Sequence, residues 1–217
     1  MIEGLMLLVV AVVAVATVVV YFRGRRINLV LMRDFIVKME NLFEPSDKEY
    51  VLLGYLVGFK AKFKVMRWNI SDITWMLTLL PRQSLLYYPI SKLTSKFDRL
   101  YISARLVFGP RATVHLISSD VYRKVIHQIK EASYLSHVTT TIGGKVFHVL
   151  YDDARFRDEV LDVIERCFGG DLRYLKHLAV NREYRNIYVF SEARLEVLGA
   201  VADFIKVLAS SLVPRGV

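Results

Sequence analysis

Few residues of this sequence have the types and spacing that metal or cofactor chemistry requires. The chain has five histidines, and none lies three, four or five residues from another, as metal motifs on helices require. They are His115, His127, His137, His148 and His177. The single cysteine, Cys167, excludes a thiolate metal site within one chain and any disulfide framework. We therefore expect no metal ion and no cofactor.

The residue types used for nucleophilic and acid–base catalysis also lack the required context. Gly143-Gly144-Lys145 lacks the upstream glycine and the following Ser or Thr of a phosphate-binding loop. Cys167 falls on the apolar face of a predicted helix, where burial makes a thiol inert. Six acids have the spacing of a helix N-terminus followed by a wet helix face: Asp152, Asp153, Asp158, Glu159, Asp162 and Glu165. We expect no catalytic residue and no small-molecule substrate.

Basic residues are the more informative group. Lys60, Lys62 and Lys64 alternate with apolar residues, so in a strand they share one face. This lysine ridge could contact the phosphates of RNA or of lipid head groups, or it could protect an edge strand against aggregation. Further candidates for contact with an anionic partner are Arg67, Arg82, Lys92, Lys96 and Arg99.

An uncharged run of 19 residues occupies positions 4–22. At 1.5 Å per residue it spans about 28 Å, close to the thickness of a membrane hydrocarbon core. Arg23, Arg25 and Arg26 follow at once, and Glu3 is the only charge before it. By the positive-inside rule these arginines stop and orient a transmembrane helix with its N-terminus outside the cell membrane. The alternative is a signal peptide cleaved after Ala16.

The charge distribution favours an anionic partner for the rest of the chain. All 30 Lys and Arg residues follow Phe22, where 20 of the 21 acids also lie. A basic domain beside a membrane is suited to lipid head groups or nucleic acid. Solubility alone is the other explanation of such a charge.

The periodicity of the remainder predicts an α+β domain of mixed antiparallel strands and helices on the cytoplasmic side. Residues 23–45 form a basic stop and an amphipathic helix, which can lie on the bilayer or pack on the domain. Residues 46–211 form the domain, with hairpins at 100–118 and 138–151 and a helix at 120–135. Residues 212–217 resemble a thrombin site left by an expression vector.

Several short motifs resemble the calumin family, the coiled-coil-domain-containing subunit of the endoplasmic-reticulum PAT complex in the multipass translocon. The first is the topology that residues 4–22 predict. The second is a strand at 72–80 that continues into Pro81-Arg82-Gln83-Ser84-Leu85-Leu86, and the third is Phe97-Asp98-Arg99-Leu100-Tyr101-Ile102 before a hairpin. The helix at 120–135 and the closing strand and helix at 186–209 are also similar. The chain looks like a prokaryotic or archaeal relative.

The resemblance implies a non-enzymatic factor in membrane-protein biogenesis. Its partners would be the Sec translocon, the ribosome and a small multi-helix membrane protein that shields polar transmembrane segments. Two features of the family are missing, a long acidic luminal segment and a basic coiled coil after the domain. The alternative is an anchored lipid-surface or signalling adaptor unrelated to translation.

Overall fold

A computed structural model describes residues 2–54 and 56–214 of the chain. The described residues form one long N-terminal helix and an α+β domain built on an antiparallel sheet. The predicted α+β class with antiparallel strands is thus confirmed. The expected vector remnant at 212–217 lies partly outside the described residues.

The first helix, α1, runs without interruption over Ile2–Phe43. At 42 residues it is about 63 Å long. The predicted transmembrane run and the predicted amphipathic helix are therefore two parts of a single rod. Its second part packs on the domain, because Met32, Phe35, Met39 and Phe43 are buried at helical spacing.

In the described residues nine strands form the sheet: β1 (Asp47–Leu52), β2 (Gly58–Arg67), β3 (Ile70–Thr78), β4 (Arg99–Leu106), β5 (Val114–Ser118), β6 (Ser136–Ile142), β7 (Lys145–Tyr151), β8 (Leu175–Asn181) and β9 (Asn186–Glu192). Their spatial order is β1-β2-β3-β4-β9-β8-β5-β7-β6, with every neighbouring pair antiparallel.

Three helices cover one face of this sheet. They are the second half of α1, α4 (Ala154–Phe168) and α5 (Val197–Ser211), and α5 contacts both of the others. Asp153 caps α4 by accepting a 2.8 Å hydrogen bond from the backbone N–H of Phe156, as the sequence predicts. The opposite face, which we call the second face, carries α3 (Tyr122–Val125) and its 3₁₀ continuation.

Local patterns in the strands predict structure well where pairing is between neighbours. In β2 the residues Phe59, Ala61, Phe63 and Val65 are buried and the lysines between them are exposed, as alternation predicts. The hairpin of β6 and β7 also forms, and Gly143 and Gly144 both take positive φ in its two-residue turn.

Two element predictions are wrong. β4 and β5 do not pair as a hairpin, since β4 lies between β3 and β9 while β5 lies between β8 and β7. The helix predicted over 120–135 is limited to the four residues of α3 and one 3₁₀ turn, Ile126–Gln128. The fully buried strand β8 was not predicted, because Lys176 and His177 interrupt its apolar pattern.

The sequence predicts that Ser191 caps the closing helix, but that helix, α5, begins later. Ser191 lies in β9 and is fully buried, while α5 starts at Val197. The apolar face predicted for that helix is otherwise present, because Leu198, Val201 and Leu208 are all buried.

Candidate functional site

The contact between α1 and the domain begins immediately after the uncharged run. Gly24 lies so close to the loop that follows β3 that a Cβ atom there would overlap the backbone carbonyl of Arg82. Only a glycine permits this approach. One turn later, Asn28 is fully buried on the same side of the helix.

A polar network closes around Asn28. Its side-chain amide donates to the backbone oxygens of Leu56 at 2.8 Å and Leu80 at 3.0 Å, and to the side-chain oxygen of Gln83 at 3.3 Å. Its Oδ1 accepts a 3.0 Å hydrogen bond from Arg82. Both ends of this buried amide are thus used, which offsets the cost of taking it out of water.

Arg82 completes the network by a paired contact with Asp98, just before β4. Its two terminal nitrogens bind the two carboxylate oxygens at 3.0 and 2.5 Å, and Asp98 also accepts the backbone N–H of Leu80 at 2.7 Å. Such charge-assisted, two-point contacts are strong and directional. We call Gly24, Asn28, Arg82 and Asp98 the junction, because they fix the angle and depth at which α1 enters the domain.

The structure separates the predicted anion contacts into several groups. Lys60, Lys62 and Lys64 do form an exposed row, but the residues that pair with them on neighbouring strands include Asp47, Glu49 and Asp72. The lysine ridge is therefore partly balanced by acids beside it. It also lies on the second strand of the sheet, so it does not guard the edge, which is β1.

Arg99 shares the ridge's face of the sheet, two strands away, while the remaining basic candidates lie in other places. Arg82 is not free to contact an anionic partner as the sequence suggested, because its guanidinium is paired with Asp98 inside the junction. Arg67 pairs with Glu44 at 2.9 Å on the surface, at the end of β2 far from the junction. Lys92 and Lys96 belong to the short helix α2 (Tyr87–Ser95) and its end, and Arg99 begins β4 on the second face. The eight candidates therefore do not form one continuous patch.

The second face carries a pair of buried histidines that sequence spacing gave no reason to join. His115 on β5 and His177 on β8 share a 3.2 Å contact between Nδ1 and Nε2, although 62 positions separate them. Burial lowers the pKa of His177 to about 3, helped by neighbouring His115, and burial lowers the pKa of His115 as well. Both rings are therefore neutral at physiological pH.

The histidine pair lines a cavity of about 270 Å³ beneath α3. The outer nitrogen of His115 has no hydrogen-bond partner among the described residues, and the nearest carboxylate oxygen, on Glu131, lies 3.8 Å away. Glu131 instead accepts from Asn181 at 3.0 Å. Within the residues that the structure describes, no group of three or more His, Cys, Asp or Glu side chains is placed to hold a metal ion.

A buried lysine stands near the start of β8. Lys176 contacts Asp120 at 2.7 Å and Glu192 at 2.9 Å, and its Nζ lies 4.9 Å from the centre of the Phe97 ring. Burial opposes its charge, but the two carboxylates outweigh burial and raise its pKa. This lysine is an internal counter-ion rather than a free nucleophile.

No protein-family model matches the chain, and no curated protein matches its sequence.

Proposed function

We propose that this chain is a single-pass membrane protein whose α+β domain is a non-enzymatic binding factor on the cytoplasmic surface of the cell membrane. The observation that carries the proposal is the continuity of α1, which passes from the uncharged run straight into the domain core. The junction then holds the domain within one helical turn of the bilayer. Residues 4–22 are the anchor in this proposal.

The first part of α1 is suited to lipid and poorly suited to water. An 18-residue stretch of this helix has a mean hydropathy of 3.0, and none of it is buried against the rest of the protein. Soluble proteins rarely expose a contiguous apolar surface of this extent. Cleavage after Ala16 would still leave Val18, Val19 and Phe22 exposed, which favours a retained anchor over a signal peptide.

Orientation follows from the arginines. Arg23 and Arg26 are exposed on the turn that follows Phe22, and no Lys or Arg precedes the run. Positive charge at this end favours the cytoplasmic side for the domain.

The finer proposal is a role in membrane-protein biogenesis, beside the Sec translocon and the ribosome, with a small multi-helix membrane partner. The resemblance to the calumin family and the basic charge of the domain support it. The exposed lysine ridge, in which Lys60, Lys62 and Lys64 stand in one row, offers a surface for ribosomal RNA phosphates. A domain fixed rigidly to its anchor would keep that surface at a constant height above the membrane.

A lipid-surface or signalling adaptor is the second candidate function. It is favoured by one observation, the exposed leucines Leu86, which immediately precedes α2, and Leu93, within it, both close to the anchor end of the domain. This candidate needs no ribosome contact.

Topology is tested by cysteine labelling of the full chain in sealed membranes. Tyr134 is 88% exposed, so it is a suitable site for Tyr134→Cys in a Cys167→Ser background. In right-side-out vesicles this cysteine should react with an impermeant maleimide only after the vesicles are permeabilised. Labelling from the outside would overturn the proposal. Asn69-Ile70-Ser71 has the pattern of an N-glycosylation site, whose modification would place the domain outside. It is a poor test of topology, because the Asn69 side chain hydrogen-bonds the backbone of Phe108 and Ala209.

The finer proposal is tested by crosslinking in native membranes and by sedimentation with ribosomes at low salt. The variant Lys60→Glu, Lys62→Glu, Lys64→Glu should lose ribosome association. A matched reversal of three other exposed basic residues, Arg123, Arg155 and Arg182, should retain it. Equal behaviour of the two variants would contradict a role for the ridge. Absence of the translocon and ribosome among the crosslinked neighbours would favour the adaptor.

A further inference from the structure

Helix α2 presents its apolar side to the outside. Leu86, Ile90 and Leu93 share one helical face by their spacing and are 81%, 56% and 80% exposed. Ser91, on the opposite side, is buried against the domain. A surface helix of a soluble domain shows the reverse arrangement.

The position of α2 along α1 is set by the junction. The loop that leads into α2 touches α1 at Gly24, two residues after Phe22, which is about 3 Å along the helix axis. Ser84 in that loop hydrogen-bonds through its backbone carbonyl to the N–H of Tyr88, which ties the start of α2 to it. Helix α2 therefore starts near the depth at which the uncharged run ends.

A second apolar element lies at the same end of the domain. The tip between β1 and β2 exposes Leu52 by 72% and Leu53 by 37%, and its Leu56 is hydrogen-bonded to Asn28. α1 and β2 run in the same direction, since the other end of β2 meets α1 at the Arg67–Glu44 ion pair. The tip therefore points toward the anchor and away from that pair.

Resting on the proposed anchor, we propose that this apolar patch, formed by Leu52, Leu53, Leu86, Ile90 and Leu93, lies in the interfacial layer of the bilayer that α1 crosses. The domain then has a second membrane contact beside its transmembrane helix.

Two observations select lipid as the occupant. The patch is continuous in depth with the end of the membrane-spanning run. Basic residues also accompany it, Lys92 on the flank of α2 and Arg25 and Arg26 on α1, as expected beside anionic head groups. Tyr87, 62% exposed at the start of α2, is a residue type enriched at membrane–water boundaries.

The experiment uses the full chain with Cys167→Ser, reconstituted into vesicles of phosphatidylcholine and phosphatidylglycerol. Single cysteines at three sites carry an environment-sensitive fluorophore: Leu93→Cys on the patch, Val12→Cys in the anchor and Met66→Cys as control. Met66 is also an exposed apolar residue, at the opposite end of β2. Nitroxide-labelled lipids, with the label near the head group or deep in the chain, quench fluorophores at their own depth.

We expect the shallow nitroxide to remove most of the emission at position 93, the deep nitroxide to do so at position 12, and neither to affect position 66. Quenching at 12 without quenching at 93 overturns the patch and leaves the anchor intact. A shifted but unquenched emission at 93 indicates contact with protein or with a second copy, and it also overturns the lipid assignment. No quenching at position 12 refutes the anchor itself.

A second measurement does not depend on a label within α2. With the fluorophore at Leu52→Cys, the triple change Leu86→Ser, Ile90→Ser, Leu93→Ser should reduce shallow quenching, because one of the two apolar elements no longer enters the interface. All three positions are exposed, so the domain should keep its fold. Unchanged quenching at position 52 would show that α2 does not help to hold this end of the domain on the membrane.

Discussion

The junction and the histidine pair are both clusters of buried polar groups, yet their hydrogen bonding differs. In the junction both ends of the Asn28 amide and both carboxylate oxygens of Asp98 have partners. In the histidine pair one contact joins the rings, and the outer nitrogen of His115 has no hydrogen-bond partner within the described part of the chain. A fully partnered cluster fixes geometry, whereas a partly partnered one beside a cavity remains sensitive to protonation and to what enters.

The junction and the histidine pair therefore have different roles in the structure. The junction is placed where α1 leaves the uncharged run, so it determines how the domain is oriented relative to that run. The histidine pair lies on the second face, beneath α3, and does not touch α1. Perturbing the first should disturb the relation between helix and domain, and perturbing the second should change how stability responds to pH.

The largest effect is expected from Gly24→Val. The new side chain meets the backbone of Arg82, which moves less easily than a side chain, so α1 must separate from the loop or the loop must shift. Overpacking typically costs about 1–3 kcal/mol and occasionally more, and a clash with backbone atoms places Gly24→Val at the upper end of that range or above it. Thermal unfolding in detergent measures the loss, and hydrogen exchange should show faster exchange of backbone amides in the second half of α1.

A matched glycine provides the control. Gly199 lies within α5, where an added Cβ atom would meet nothing within 4 Å, so Gly199→Ala should leave stability unchanged or raise it by up to about 1 kcal/mol. Equal losses for the two variants would mean that the close approach at Gly24 is not what holds α1 to the domain.

A smaller effect is expected when the junction loses its carboxylate. Asp98→Ala leaves Arg82 and the N–H of Leu80 without their partner, at a cost of about 2–4 kcal/mol. A double-mutant cycle with Arg82→Ala should give a coupling energy of about 1–3 kcal/mol. The same cycle for the exposed pair Arg67 and Glu44 should give less than about 1 kcal/mol. Equal coupling in the two cycles would remove the distinction between the junction and a surface ion pair.

The parts of this structure that the sequence predicts are those governed by neighbours along the chain. The alternation of β2, the Gly143-Gly144 turn and the Asp153 cap each involve residues within a few positions of one another. Gly24 and Arg82 are 58 positions apart, and nothing local indicates that their backbones meet.

Burial of charged residues explains the remaining differences. β8 carries Lys176 and His177 among apolar residues. Lys176 keeps its charge because Asp120 and Glu192 pair with it, and burial keeps His177 neutral. The helix expected over 120–135 has the correct apolar period at its start, but the chain turns after Gln128 to reach β6. The junction had one signal in the local sequence: Asn28 is a polar residue on the side of a helix that is otherwise apolar and buried, which indicates a hydrogen-bonded contact there.

An intermediate effect is expected from acid. Because burial lowers the pKa of His177 from 6.5 to about 3, the unfolded chain binds more protons than the folded chain between those values. The free energy of unfolding therefore falls as pH drops through this window, by up to about 1.4 kcal/mol per pH unit for one group. Above pH 6.5 the contribution is constant. Denaturant unfolding at pH 7, 6 and 5 measures the slope.

His177→Gln should reduce that slope even if it lowers stability at every pH, since glutamine does not titrate. His127→Gln is the control, because it removes an exposed histidine that lies outside the buried pair. A slope that is the same in all three proteins would assign the acid response to other groups and would weaken the contrast with the junction.

The smallest effect on stability is expected on the lysine ridge. Lys62 is exposed and lies directly opposite Glu49 of the neighbouring strand β1. Lys62→Glu therefore places like charges opposite each other, at a cost of about 0.2–1 kcal/mol. If the ridge binds an anionic partner, the same change should lower ribosome or RNA binding far more than it lowers stability. Thr74→Glu, on the neighbouring strand and in register with Lys62, adds a negative charge without removing a lysine. Lys62→Gln and Thr74→Glu each lower the charge of this face by one, so a greater loss of binding for Lys62→Gln would assign the contact to the lysine itself, whereas equal losses would assign it to the overall charge of this face.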